Sequence, residues 1–486
     1  MKKPFYITTT LPYVNAEPHV GFAMEIIRAD VIARYKTISG FDVFFNTGTD
    51  EHGQKLFEAA EKEGIPVKTY VDKHAARFRE LLPKLGISSG IHFIRTTDAH
   101  HEKAAQEFWM RVYNNGFIYK KNYKTKYCVG CEENKTDSEL VNGRCAIHQN
   151  RDLEIRDEEN YFFKFSEFGD KLIALYDARK FQVVPEFRLN EMREFIKRGL
   201  EDFSISRLKT KMAWGVPVPN DADHVMYVWF DALVSYISTL GWPEKSVDFE
   251  KFWKNGTPVQ YCGKDNTRFQ SVMWQAMLLA AELPSTNTVV VNGFVTGDGG
   301  VKMSKSLGNV INPFDVVTEY DAVTNGRGDE VLRYFVCREI GSFEDSPFTM
   351  ERFKGAYNTA LANGLGNLVS RVMKMATTNL EAPVQISDDV LSPEFKKALD
   401  GFDIQAAVNV IWKHITDADQ MIQEKAPFKL VKTDKAAAQE IISDLVRRVH
   451  AIAVMLEVVM PQTAKTVQKL VTEHKMPDAP LFMRKD

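Results

Sequence analysis

The chain has 486 residues, 26% of them charged and 44% hydrophobic, which excludes disorder along its whole length. A net charge of −3, from 62 basic and 65 acidic residues, excludes a globally basic nucleic-acid binder but leaves room for a local phosphate-binding surface. Its apolar runs are all shorter than the ~18–20 residues of a membrane helix.

Phe5–Thr10 predicts a strand, entered directly from Met1–Pro4 with no signal-peptide pattern, so a cytoplasmic protein is expected. Pro18–Ser39 follows with Ile27, Val31, Tyr35 and Ile38 at helical spacing. Val43–Asn46 reads as a second strand and Gln54–Glu63 as another helix. This alternation predicts an α/β, doubly wound, parallel-sheet (Rossmann-like) domain. The pattern breaks near Tyr119–Asn122 and resumes with strand-like runs at Val225–Trp229, Val259–Cys262 and Thr288–Val291. We therefore expect domain halves at 1–116 and 211–349, separated by an insertion at 117–210. From 350 to 486 the strand signals vanish. Amphipathic runs such as Ile404–Glu424 and Ala436–Met460, punctuated by Pro383, Pro393, Pro427 and Pro461, predict an all-α helix bundle.

Three of the five cysteines fall close together. Cys128-x-x-Cys131 and Cys145-x-x-His148 form two hooks at about 125–150, a spacing that suits a closed tetrahedral Zn²⁺ site, one per chain and structural in role. Cys262 and Cys337 lie in apolar surroundings and read as buried thiols. Pro18-His19-Val20-Gly21 opens the first helix, where unpaired N–H groups favour phosphate. Alone, His19 reads more readily as a capping or packing histidine than as a ligand. Lys302-Met303-Ser304-Lys305-Ser306, after Gly297-Asp298-Gly299-Gly300, adds two cations on a glycine-flanked loop, suited to a polyphosphate.

Together these two signatures resemble those of the class I aminoacyl-tRNA synthetases. The order of Leu11–Asn15, Thr47–Gly53, Tyr227–Ala232 and Gly263–Asp265 is similar to the methionyl branch of that class over nearly the whole chain. The resemblance implies a ligase that activates L-methionine with Mg²⁺·ATP and transfers it to tRNA(Met), the initiator included. It implies His19, Lys302 and Lys305 as catalytic groups, with Gly21, Gly263, Lys264, Asp265 and Ser304 also at ATP. Asp50, supported by Arg207, is implied at the methionine ammonium. Leu11, Tyr13, Trp229, Ala232, Tyr236, Phe269, Gln270 and Trp274 are implied around the side chain, although each aromatic alone reads as core. Asn367 and Arg371, at i and i+4 on one helix face, and Phe428 are implied as anticodon contacts. By themselves Asn367 and Arg371 read as an exposed polar stripe.

Besides Phe428, which stands where the family usually has Trp, two positions depart from the family pattern. Phe22 stands where the first motif usually has its second histidine, and Gln270 where methionine enzymes often carry a histidine. A class I synthetase for another apolar amino acid, or a non-catalytic tRNA-binding paralogue, therefore stays open as an alternative. A monomer is expected.

Overall fold

In the computed structural model, which describes residues 2–135, 139–244, 246–301, 303, 310–386 and 391–486, the β-rich runs of the first half assemble into a six-stranded sheet. Its strands are β1 (Pro4–Thr9), β2 (Asp42–Thr49), β3 (His92–Arg95), β4 (Gln182–Val184), β5 (Thr257–Gly263) and β6 (Thr288–Asn292), in the order β3-β2-β1-β5-β6-β4. Parallel registers join β1 to β2 and β5, β2 to β3, and β6 to β4. β1 and β6 are buried along nearly their whole length, which is why they read as continuous apolar runs rather than alternating ones.

The chain divides into two compact units. The first comprises Met1–Glu17, Phe41–Glu80 and Gly90–Val291; the second comprises Pro18–Gly40, Leu81–Ser89 and Asn292–Asp486. In the first, Phe108, Trp109, Phe230, Trp242, Trp253 and Trp274 meet in one aromatic core. Phe230 presents an edge to Phe108 and Trp109 at centroid distances of 5.8 and 5.3 Å. Each such ring contributes roughly 1.5–3 kcal/mol by burial. A long hairpin of Ile118–Cys128 with Glu154–Phe163 carries the cysteine-rich turns.

One expectation needs correction in this unit, and one strand went unread. Val225–Trp229 is not one strand of the main sheet. His224–Met226 pairs antiparallel with Ser206–Leu208, and Val228–Ala232 is helical, so Trp229 projects from a helix. The aromatic and β-branched composition suggested a strand, but packing decides such short runs. The short strand β4 was not foreseen; three residues carry too little pattern.

The second unit is dominated by helices. Helix Val20–Ile38 is buried on nearly every side and is keyed by charge. Arg28 donates to the carbonyls of Val336, Ile340, Gly341 and Ser342 and to Asn292 Oδ1. Asp30 pairs with the fully buried Arg333 at 2.7 Å. From residue 350 onward every described element is helical. Ile404–Lys425 buries Ile404, Ala407, Val408, Ile411, Ile415, Ala418 and Ile422 along one stripe, and Asp403 caps it by accepting from Ala406 N. The expected helix Ala436–Met460 is instead Lys435–Leu456. The helix stops short of Pro461, which has no N–H to continue it and holds Met460 out of the helical conformation, and Arg333 donates to the freed carbonyls of Val458 and Val459.

Candidate active site and metal centre

Ligands in parallel sheets bind beyond the carboxyl ends of the strands. At the end of β1 the segment Leu11–Val14 is fastened beside Asp50, which follows β2. Asp50 N donates to Pro12 O at 3.0 Å and Val14 N to Asp50 O at 3.2 Å. After β5, a π-helical turn at Phe269–Met273 shifts the helical register, a device common at functional sites. It carries Gln270, whose amide donates to Thr10 Oγ1 at 2.9 Å, back at the end of β1.

Around this point the expected methionine contacts separate into two groups. Trp229 and Phe269 are half-buried and stacked in parallel, with centroids 3.9 Å apart. Trp274 and Tyr236 lie deeper, in edge-to-face contact within the aromatic core. Leu11 and Ala232 are buried. Arg207 is buried, donates to Ser204 Oγ and Ser206 O, and lies over the Tyr127 and Tyr227 rings.

The electrostatics centre on Asp50. Its Oδ1 is buried with no hydrogen-bond partner among the described residues. Burial, then the nearby Asp231 and Glu132 carboxylates, hold its carboxyl well above the usual carboxylate range. An orphaned buried acceptor costs roughly 1–3 kcal/mol, which a bound cation relieves. Tyr13 is likewise pushed well above a normal phenol by burial and by Glu132, so its hydroxyl stays a donor.

Sequence reasoning missed the groups that shape this field. His52 Nδ1 contacts Asp231 Oδ2, and His101 Nδ1 contacts Ser238 Oγ at 2.9 Å. Glu51 receives Arg95 in a bidentate pair, both contacts at 2.7 Å. Glu51, His52 and Asp231 all stood inside the quoted motifs; the signal was present, but pairing across 179 residues was not legible.

Of the residues expected at ATP, His19 and Gly21 belong to the second unit and Gly263, Lys264 and Asp265 to the first. His19 caps helix Val20–Ile38, its Nδ1 accepting from Gly21 N at 3.0 Å. A Cβ on Gly21 would lie 2.8 Å from His19 Cε1 and 2.9 Å from Nδ1, so glycine lets the ring fold over the helix start. The next residue, Phe22, is buried in that helix. Val20 N donates to Ile311 O at 3.1 Å, so the chain beyond the lysine-rich motif runs beside this helix start. Lys302, Ser304 and Lys305 lie outside the described residues. Gly263 closes β5, and Lys264 and Asp265 begin the turn that follows.

Cys128, Cys131, Cys145 and His148 bring their ligand atoms within 4.8 Å of one another. Cys131 Sγ is 3.4 Å from Cys145 Sγ and 3.3 Å from His148 Nδ1, and Cys128 Sγ is 3.8 Å from that nitrogen. Tetrahedral Zn²⁺ with bonds near 2.0–2.3 Å requires edges of about 3.5–3.8 Å. The donor set and its dimensions fit a structural zinc site. Gly130 is required in the turn, because a Cβ there would overlap the His148 ring.

On the helical unit, Asn367 is exposed, Arg371 pairs with Asp419 at 3.1 Å, and Phe428 is 48% exposed with Lys429 over its ring. A π-helical stretch, Tyr357–Gly366, runs directly into the helix that carries Asn367 and Arg371. No described helix is long and apolar enough to cross a membrane.

The model of the family described as tRNA synthetases class I (M) matches residues 5–145 and 130–373. The fold and the match define a class I aminoacyl-tRNA synthetase. A methionine–tRNA ligase of Caldanaerobacter subterraneus is 38% identical over 481 residues, covering 96% of this chain and 73% of the relative. That of Thermosynechococcus vestitus is 38% identical over 488 residues, covering 96% and 90%. The structure of Mycobacterium tuberculosis methionyl-tRNA synthetase in complex with methionyl-adenylate superimposes with a TM-score of 0.88 at 33% identity, covering 99% of this chain and all of that one. The chain belongs to the methionyl-tRNA synthetase family.

Proposed function

We propose that this chain joins methionine to tRNA(Met) in two steps, activating it first as methionyl-adenylate. The observation that carries the amino-acid site is the buried Asp50 Oδ1, unpartnered among the described residues, beside Tyr13 at the strand ends. An α-ammonium supplies the missing partner as a charge-assisted bond. The stacked Trp229 and Phe269, with Leu11, Ala232, Tyr236 and Trp274, wall the thioether, whose polarisable sulfur suits aromatic contact. Gln270 stands at the sulfur end, and Arg207 supports Asp50.

The methionine carboxylate is ionised at neutral pH and attacks the ATP α-phosphorus without a general base, expelling pyrophosphate. Because His19 Nδ1 accepts from Gly21, its neutral ring carries the proton on Nε2 and presents a donor to phosphate. His19, Gly21 and the helix start bind on one side, and Lys302, Ser304 and Lys305 neutralise the developing charge. Gly263, Lys264 and Asp265 take the ribose. ATP is taken as its Mg²⁺ complex, in which the ion would shield the phosphates. The terminal ribose hydroxyl of the tRNA then attacks the mixed anhydride. Asn367, Arg371 and Phe428 read the anticodon, that of the initiator included.

In this reading 1–116 and 211–349 form the catalytic domain, 117–210 the connective insertion and 350–486 the anticodon domain of a cytoplasmic monomer. Exchange of labelled pyrophosphate into ATP against a panel of amino acids tests it. Methionine supports exchange; exchange with leucine but not methionine overturns the assignment.

A further inference from the structure

The turn that carries Cys131 runs straight into Glu132, whose backbone is left-handed (φ 54°) and whose side chain is buried. Its carboxylate oxygens accept from the Tyr13 hydroxyl at 3.1 and 3.2 Å, and Oε1 also accepts from Lys55 N at 2.7 Å. Lys55 in turn donates its ammonium to the carbonyl of Gly130. Helix Gln54–Glu63 has Gly53 at its N-cap, with no side chain to satisfy its first amides, and Glu132 supplies the missing acceptor from the metal-bearing turn. Gly53 also makes room for the arrangement. At φ 122° a Cβ there would lie 2.6 Å from Tyr13 Oη and 2.9 Å from Glu132 Oε2.

We propose that Glu132 is a positioning residue for the amino-acid pocket, holding the Tyr13 hydroxyl so that the ring stands as a wall of the methionine site. The cysteine-rich knuckle and the pocket are thereby one hydrogen-bonded unit. This inference rests on the reading of Tyr13 as a pocket wall given above.

Four substitutions test it in the full chain, with Tyr13→Ala as the control for the pocket itself. Tyr13→Phe keeps the ring and removes the donor, Glu132→Ala removes the acceptor, and Glu132→Gln keeps the size with one acceptor oxygen. Methionine affinity is read by equilibrium dialysis without ATP, and KM values by pyrophosphate exchange. Glu132→Ala is expected to weaken methionine binding ~10-fold, and Glu132→Gln less, while zinc content and the KM for ATP stay within about twofold. In the Tyr13→Phe background Glu132→Ala should add no further loss, because partners in one hydrogen-bond network are not additive. Losses that multiply, or equal damage to methionine and ATP affinity, overturn the proposal. Should Glu132→Ala fail to fold, Glu132→Gln reads the same split. If Tyr13→Ala weakens methionine binding and neither Glu132 variant does, the link alone fails. If Tyr13→Ala also leaves methionine affinity unchanged, the pocket reading fails with it.

Discussion

His52 Nδ1 lies 3.1 Å from Asp231 Oδ2 with both side chains buried, and the Asp231 charge reaches Asp50. Burial alone would pull the His52 imidazole down, but Asp231, with Glu102 and Glu51 behind it, holds it above its ordinary value. Burial opposes ionisation of Asp231 too, yet His52 and His101 keep it below the usual carboxylate range.

These directions set a pH window. A raised His52 contributes stability that is complete below the unfolded value near ~6.5 and is lost as pH rises through the folded one. A lowered Asp231 contributes above ~3.8 and its share is lost as pH falls through the folded value. His52→Gln leaves Asp231 without its charged partner and should cost about 3–5 kcal/mol. Thermal melts between pH 5 and 9 check this, taken at ~0.5 pH steps. The wild type loses stability on the alkaline side and the variant does not; parallel curves would show that the pair carries no linkage.

Asp50 predicts the opposite dependence for ligand binding. Its raised carboxyl must ionise to receive an ammonium, so methionine affinity falls as pH drops through the raised value, up to ~10-fold per pH unit. Calorimetry in buffers of different ionisation enthalpy should detect a proton released on binding. Asp50→Asn should abolish methionine activation while stabilising the ligand-free protein by about 1 kcal/mol or more. A variant that melts lower than wild type would count against the orphaned-carboxyl account.

Gly21→Ala places a Cβ where the His19 ring now folds. Loss of that cap should cost the helix about 1 kcal/mol and raise the KM for ATP without changing that for methionine. Steady-state pyrophosphate exchange separates the two constants.

Metal analysis should find about one Zn²⁺ per chain, the number that four such ligands accept. Cys145→Ser should lower occupancy and loosen the hairpin of Ile118–Cys128 and Glu154–Phe163, read as faster amide exchange there. Full occupancy in that variant would remove Cys145 from the ligand set.

Arg371→Ala should raise the tRNA KM by roughly 10–100-fold, the cost of one base-reading guanidinium, and leave methionine activation nearly unchanged. Its half-exposed pair with Asp419 is worth less than about 1 kcal/mol, so the melting temperature should barely move. Equal loss in both reactions would mean that Arg371 serves the fold and not the tRNA.

Local chemistry was legible wherever residues close in sequence did the work. Cys128, Cys131, Cys145 and His148 need only two tight turns to meet, and the helical spacing of Ile404–Glu424 answers to the helix Ile404–Lys425. The parallel sheet was readable because strands buried on both faces leave unbroken apolar runs. The run Val225–Trp229 misled for the same reason, since its composition is β-like while its neighbours impose a short antiparallel ribbon and a helix.

The sequence by itself determined the strand–helix alternation of the first half, the helical character beyond residue 350 and the cluster of four metal-ligating side chains, because spacing along a chain with fixed helical and strand repeats limits which side chains share a face. Only the tertiary structure decided that His52 meets Asp231, that Glu132 caps a helix it does not belong to, and that Asp50 is left with an unpartnered oxygen. Those facts arise from buried polar groups that must find partners far away in sequence, and burial, which sets their energies, exists only after the chain has folded.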